Sequence, residues 1–323
     1  MPVLIDEGVG SMRDLLSALF TLLIFPGFGF LFVCALVFQW IDRQVTARLQ
    51  GRIGPPWFQP LADFVKLMAK EDVLPVNAHE RACAALPMVS LAAVLTAALY
   101  VPVGGLVASA FEGDLIVVLF LLSIPALAYF LAGWLSASVF SVIGGSRALL
   151  QYFAYEVPFL MAFVGPAILS GSWSISRIAA LQSQTVWMVL VQPVGFLLAF
   201  VGLIGKLKRS PFDIPKAKSE IGAGPLTEFS GRKLALWHLT LHIKTVVGIF
   251  LLVNVFLGGN FTELAIPTAL VFGVKVLFVL LAFSVAGVLY ARLRIDQLAS
   301  LGWKVLAPLA LAQMLIVIWI GVE

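Results

Sequence analysis

Eight apolar stretches, each long enough to cross a hydrocarbon core as a helix, decide what this chain can fold into. They run over Leu15–Trp40, Ala82–Val103, Leu115–Ile143, Leu149–Leu169, Val186–Ile204, Leu234–Leu257, Ala265–Tyr290 and Val305–Val322. A helical crossing needs about 20 residues. Water is absent from a bilayer core, so only helices or a closed barrel satisfy their own backbone groups there. Barrel strands alternate apolar and polar over roughly ten residues, and these runs do not. The expected fold is an all-α, polytopic membrane protein of about eight transmembrane helices. It would form one integral domain over residues 1–323, with cytoplasmic loops at about 41–81, 144–148, 205–233 and 291–304. Charged residues make up 12% of the chain, about half the share of a soluble domain (~25%). Acidic residues (Asp6, Glu7) precede the first apolar run, unlike the basic start of a cleaved secretory signal.

Charge placement orients the bundle. Taken in order, alternate connections carry 17 Lys/Arg on one side and 2, Arg13 and Arg177, on the other. Basic residues stay cytoplasmic, so both termini are expected outside and the large basic loops inside a cell membrane. The net charge of +4 therefore reports topology. Its dispersal over separate loops gives no footprint for a nucleic acid. Cys34 and Cys83 sit in apolar surroundings without metal-ligand spacing and read as small core residues.

One connection stands out. Lys206 to Lys244 carries eight of the 21 Lys/Arg, stiffened by Pro211 and Pro215, with Asp213, Glu220 and Glu228 among the lysines and Phe212, Ile214 and Ile221 as apolar anchors. That mixture suits a segment packed against a partner better than a solvated tail. Upstream, Pro26-Gly27-Phe28-Gly29 predicts a kink in the first span, and Phe58, Leu61, Phe64, Val65 and Met68 have helical spacing on one face, as a helix resting on the membrane would. Glu156 lies inside an apolar run nine residues after Arg147, and an ionisable group there marks a functional site unless it is hydrated or paired with Arg147 or Tyr155. Lys244 and Lys275 raise the same question in later spans. Such lysines must pair with an acid, face water or be neutral. His238 and His242 share a helical face, but without a third ligand or an HExxH glutamate they read as hydrogen-bonding groups near a helix end.

Four segments together resemble one family. They are ARLQGRIGPPWFQPLADFVKLMAKEDVLP (Ala47 to Pro75), SRALLQYFAYEVPF (Ser146 to Phe159), PFDIP with Glu220, Gly224 and TEFSG (Thr227 to Gly231), and RIDQLASLGWKVLAPLAL (Arg294 to Leu311). These are similar, in order, to the loops of the quinone-chamber membrane subunit of respiratory complex I, its H-type subunit. They are similar also to its counterparts in energy-converting membrane-bound nickel–iron hydrogenases and sulfur-reducing complexes. The resemblance implies a coupling or ion path through Glu156, Arg147, Asp213, Glu220, Glu228, Lys244 and Lys275. It implies a chamber mouth and docking rim at Arg48, Arg52, Trp57, Asp63, Lys66, Lys216, Lys218 and Arg232. It further implies hydrogenase-like large and small iron–sulfur subunits as peripheral partners, with antiporter-like and small membrane subunits beside the chain in the lipid. Iron–sulfur clusters and a nickel–iron centre would then belong to partners, and this chain would bind no cofactor or metal of its own.

The sequence departs from the complex I pattern where Lys216 and Lys218 replace glutamates and where Leu241 aligns with another. Less negative charge around the chamber favours the hydrogenase or sulfane-sulfur branch, with quinone as the alternative occupant. Two further readings are a stand-alone secondary transporter, which predicts inverted repeats that the sequence does not show, and a structural anchor, in which Glu156 and Lys275 would be dispensable.

Overall fold

The computed structural model describes residues 19–259 and 268–321, apart from the side chains of 218, 219, 320 and 321. Arg13, Glu263, both termini and the Lys218 side chain, on which expectations were placed, lie outside those residues. Among the described residues, seven helices are long and apolar enough to cross a membrane: Leu19–Leu49, Glu80–Tyr100, Asp114–Leu135, Val139–Ser170, Gly231–Phe256, Thr268–Leu289 and Ile295–Trp319. Pro193–Lys206 is a shorter apolar helix. The first breaks at residues 24–27, at the expected proline kink, and continues as α1 (Phe28–Leu49). We number the others α2 (Gln59–Met68), α3 (Glu80–Tyr100), α4 (Asp114–Leu121), α5 (Ile124–Leu135), α6 (Val139–Ser170), α7 (Ile175–Gln184), α8 (Pro193–Lys206), α9 (Gly231–Phe256), α10 (Thr268–Leu289), α11 (Ile295–Leu301) and α12 (Ala307–Gly321).

Two helices act as hubs. In α9 every residue from Ile243 to Phe256 is buried, enclosed by α1, α3, α7 and α10. The other hub is α6, flanked by α5, α8 and α12. Both carry apolar residues all round, as a helix surrounded by other helices must. Lipid is as apolar as leucine, so close packing of small residues draws such helices together. Gly202 and Gly205 of α8 do this against Phe159 and Tyr155 of α6. A Cβ on either would come within 3.0 Å of those side chains.

The sequence expectations need four corrections. The turn expected at 144–148 is helix, and the chain reverses instead at 136–138. Gly144 and Gly145 look like turn residues but are contact residues: a Cβ on Gly144 would sit 2.7 Å from Gly224 Cα, and one on Gly145 3.0 Å from the Phe130 carbonyl. Arg147 consequently projects from a continuous helix. The run Val186–Ile204 breaks at Gln192, leaving a 14-residue α8 that reaches only about 21 Å. The first loop starts later than residue 41, because α1 extends to Leu49. The last, 291–304, contains α11 and a π-helical turn, Gly302–Leu306.

The positive-inside asymmetry gives a topological expectation for these helices. Cysteines introduced at Lys66 and Lys216 should react with a membrane-impermeant maleimide only after the cells are opened, and one at Glu112 should react in intact cells. The opposite labelling pattern would reverse the orientation.

Candidate functional site

The glycine contacts between α6 and α8 place the next residue of α8 against α6. Lys206 Nζ lies 2.8 Å from Glu156 Oε1, with the lysine side chain fully enclosed and the carboxylate 8% exposed. Lys206 also donates to Ser123 Oγ at 2.8 Å, and Ser123 is in hydrogen-bonding contact with Glu156 Oε1. The ammonium is 4.6 Å from the centre of the Phe159 ring. From α9, buried Lys244 donates to the Lys206 carbonyl at 3.1 Å. Two buried ammonium groups thus stand near one buried carboxylate, whose second oxygen has no partner among the described residues. Burial of charge is tolerated only where charges are paired and hydrogen-bonded, so this cluster is sensitive to any change in charge beside it.

The same backbone leads directly into the cytoplasmic loop. Lys208 N–H bonds to Gly205 O and Arg209 N–H to Ile204 O, which closes α8 with a left-handed Schellman turn. Glycine is the usual residue at that turn, yet Lys208 occupies it with φ 52°. Its ammonium is buried 3.5 Å over the Tyr129 ring and has no hydrogen-bond acceptor among the described residues. Burial, and then the nearby Lys244 and Lys216, push it well below the usual lysine range.

Beyond the turn, a cavity of about 480 Å³ opens between α1, α10 and the loop, lined among others by Asp42, Lys208, Arg209, Asp213, Lys216 and Arg292. Arg209 pairs with Asp42 at 2.8 Å, which also accepts from Ser284 at 2.7 Å. Arg292 grips both oxygens of Asp213, at 2.8 and 2.7 Å. Such a fork fixes geometry as well as charge. The loop's other end is tied down by Asp72, whose carboxylate accepts from Arg232 N–H at 2.7 Å at the start of α9.

The expected path residues therefore fall into separate groups. Glu156 and Lys244 meet through Lys206. Arg147 pairs with Glu220 at 2.6 Å, so it is not the partner of Glu156. Asp213 is held by Arg292. Glu228 is half-buried and makes no ion pair among the described residues. Lys275 bonds to the carbonyls of Leu257, at 2.7 Å, and Gly258, with the Trp187 ring 4.9 Å away. That is a cation capping the C-terminus of α9, 13 residues and about 20 Å along the helix from Lys244. Of the expected rim, Asp63 pairs with Arg43, Lys66 lines a second cleft, Arg52 bonds to Gln50, and Arg48, Trp57 and Arg232 are exposed.

Sequence reading missed Lys206, Ser123, Asp42, Arg43 and Arg292. Lys206 had a legible signal. It ends an apolar run, and a buried acid elsewhere in the bundle requires a cation.

Hydrogen bonding to Arg147, followed by its charge, holds the Glu220 carboxyl below its ordinary value. A carboxyl lowered on folding stabilises the folded state above its unfolded value of ~4.3 and loses that contribution as pH falls further. The Glu220 segment should therefore loosen from α6 below about pH 4. Limited proteolysis of membrane vesicles should cut the loop faster there, and Glu220→Gln should raise cutting at neutral pH and reduce the pH response. A pH response unchanged by Glu220→Gln would show that this pair does not hold the loop.

A family model described as NADH dehydrogenase matches residues 21–318. The H-type subunit of NADH-quinone oxidoreductase from Carboxydothermus hydrogenoformans is 34% identical over 298 residues, covering 89% of this chain and 85% of the relative. One of the same type from Syntrophobacter fumaroxidans is 35% identical over 311 residues, 90% of this chain and 93% of that one. Among solved structures, a chain of the membrane-bound sulfane sulfur reductase, an archaeal respiratory membrane complex, superposes with a TM-score of 0.82 at 28% identity, covering 95% of this chain and 98% of that chain.

Proposed function

Because this chain belongs to the H-type membrane-subunit family of NADH-quinone oxidoreductases, we infer that it anchors a peripheral electron-transfer arm and couples the arm's redox chemistry to proton or sodium movement. The observation that carries this reading is the buried Glu156–Lys206 pair with Lys244 behind it. It lies one turn below a loop cavity edged by Lys208, Arg209 and Lys216. Electron transfer next door changes charge at that cavity. In a low-dielectric site such a change acts strongly on nearby charges. The pair then has two arrangements of different energy, which is what coupling between two sites requires.

Within the family, the branch we favour is the nickel–iron hydrogenase or sulfane sulfur reductase type. Lys216 faces the cavity, Lys218 follows it in sequence, Lys206 and Lys244 are buried beside Glu156, and Lys208 is buried two residues beyond Lys206. This is a basic setting for a chamber. The iron–sulfur clusters and any nickel centre belong, in this reading, to hydrogenase-like large and small partner subunits, and antiporter-like subunits carry the ions. The test is to purify the intact complex, determine its nickel and subunit content, and measure the ion gradient in vesicles with protons, polysulfide or a quinone as acceptor. Nickel with hydrogen evolution, or polysulfide reduction without nickel, supports the branch. Quinone-dependent pumping would assign the chain to the quinone-reducing branch, and a complex that builds no gradient with any acceptor would reduce it to an anchor.

A further inference from the structure

The break before α8 leaves a polar residue among apolar ones, and a second polar residue meets it there. Gln313 of α12 donates from Nε2 to Gln192 Oε1 at 3.0 Å, and both side chains are buried. Glycines of two neighbouring helices make the room. A Cβ on Gly165 of α6 would lie 2.5 Å from Gln192 Oε1, and one on Gly195 of α8 would lie 2.6 Å from Gln313 Nε2. One hydrogen bond uses only half of the pair. Gln192 Nε2 and Gln313 Oε1 have no partner among the described residues. Exchanging oxygen and nitrogen in both amides reverses the roles and still leaves one N–H group and one carbonyl over.

The pair lines a groove of about 220 Å³ between the end of α6, the start of α8 and α12, with Leu169, Val194, Leu309 and Ile316 among its walls. Val194, Leu309 and Ile316 are exposed, so the groove lies on the outside of the bundle. Its depth follows from the helices that carry it. Gly165 is five residues from the end of α6 at Ser170, and Gln313 is six from Trp319, where the last span ends. Those are about 8 and 9 Å of helix. Trp319 is exposed, as a tryptophan at a membrane–water interface is. The groove therefore opens into hydrocarbon. It stands about 13 Å along α6 from Glu156, outside the charged cluster. Unpaired amide groups are costly at that depth, because acyl chains offer them no partner and water is absent.

Resting on the reading of this chain as one subunit of a membrane complex, we propose that a transmembrane helix of another subunit seats in this groove and sets a neutral polar side chain (Ser, Thr, Asn or Gln) against the Gln192–Gln313 pair. The chemistry selects the occupant. A lipid chain covers the apolar walls and leaves both amide groups unpaired. A charged side chain finds no counter-charge, because no ionisable residue lines the groove among the described residues. A neutral group that both donates and accepts answers the spare N–H and the spare carbonyl together. Polar contacts of this kind join helices where lipid removes the hydrophobic drive, and small residues let their backbones approach. Ala312 is the small residue in this wall.

The test places the photo-cross-linker p-benzoylphenylalanine at Ile316, on the exposed edge of the groove, in the intact complex. After illumination, mass spectrometry should find this chain joined to one other membrane subunit, at a transmembrane segment carrying one of those four residues. The same group at Leu315, which is exposed on α12 but does not line the groove, should give severalfold less of that product. Gln192→Leu combined with Gln313→Leu then separates docking from folding. Replacing both partners of a hydrogen bond by apolar groups is nearly neutral for the chain itself, so its yield should hold. The partner subunit should be retained about threefold less, or worse, after purification in detergent. Unchanged retention of the partner in the double variant would overturn the proposal. Cross-links to lipid alone, to a second copy of this chain, or to a segment without such a polar residue would overturn it as well. If the double variant does not accumulate, the cross-link from the otherwise wild-type chain decides alone. Lipid-only cross-links in a complex that builds an ion gradient would leave the functional reading standing, whereas a chain that purifies with no other membrane subunit would overturn both.

Discussion

Replacing Lys206 with methionine should destabilise the subunit by roughly 3–5 kcal/mol, the cost of leaving one member of a buried ion pair without its partner. Methionine nearly keeps the length and apolar stem but offers no donor, so the Glu156 carboxylate would retain only Ser123. The contact of the ammonium with the Phe159 ring would also go. The expected result is a large fall in the yield of assembled complex and in its unfolding temperature at a fixed scan rate. Glu156→Gln combined with Lys206→Met should recover more than half of the loss, because no charge is then left buried alone. A recovery of that kind is a coupling energy between the two residues. Equal stability of Lys206→Met and wild type would mean that the contact carries no net interaction and cannot transmit a redox change.

Glu156→Gln alone is expected to separate electron transfer from ion movement. The amide keeps the size of the side chain and an acceptor for both Lys206 and Ser123, so assembly should persist at reduced stability, part of the cost of the unpaired Lys206 being relieved by loss of its proton. It holds no exchangeable carboxyl proton and no charge. The ion gradient per turnover should drop at least about tenfold, a conservative reading of the roughly 10²–10⁴-fold that one positioned proton-transfer group contributes to its step. Electron transfer to an artificial acceptor should change little. Vesicles containing the variant complex, assayed for both quantities, check this. A variant that pumps as wild type would make Glu156 a structural counter-ion for Lys206. Lys275→Met is the informative contrast, because its ammonium caps the carbonyl end of α9. It should lower stability and leave the gradient per turnover unaltered.

The helical membrane class, the proline break near Pro26, the helix at Phe58–Met68 and the family were all legible in the chain. Each depends on information held within one segment: the length of an apolar run, a residue that cannot continue a helix, a face with helical spacing, or a contiguous motif. Glu156 was legible as well, since its cost inside an apolar run does not depend on what surrounds it. Its partner was not. Arg147, nine residues away, is nearer in sequence, but nine residues along α6 place it about 13 Å up the helix, where it meets Glu220. Lys206, 50 residues away, arrives because Gly202 and Gly205 let α8 press against α6. The Gly144-Gly145 pair misled for a related reason. The same lack of a side chain serves a turn or a close helix contact, and only the presence of Gly224 and Pro225 against it decides which.

Hydrophobicity and charge act on each segment separately through the membrane, so the residues alone establish a bundle of apolar helices and an expectation of which loops share a side. Which buried charges face one another, that Lys275 is a helix cap, and that Gln192 meets Gln313 are settled only by the packed helices. Those outcomes depend on contacts between residues distant in the chain. In a low-dielectric interior, an ion pair and an isolated charge differ by only a few ångströms of helix placement.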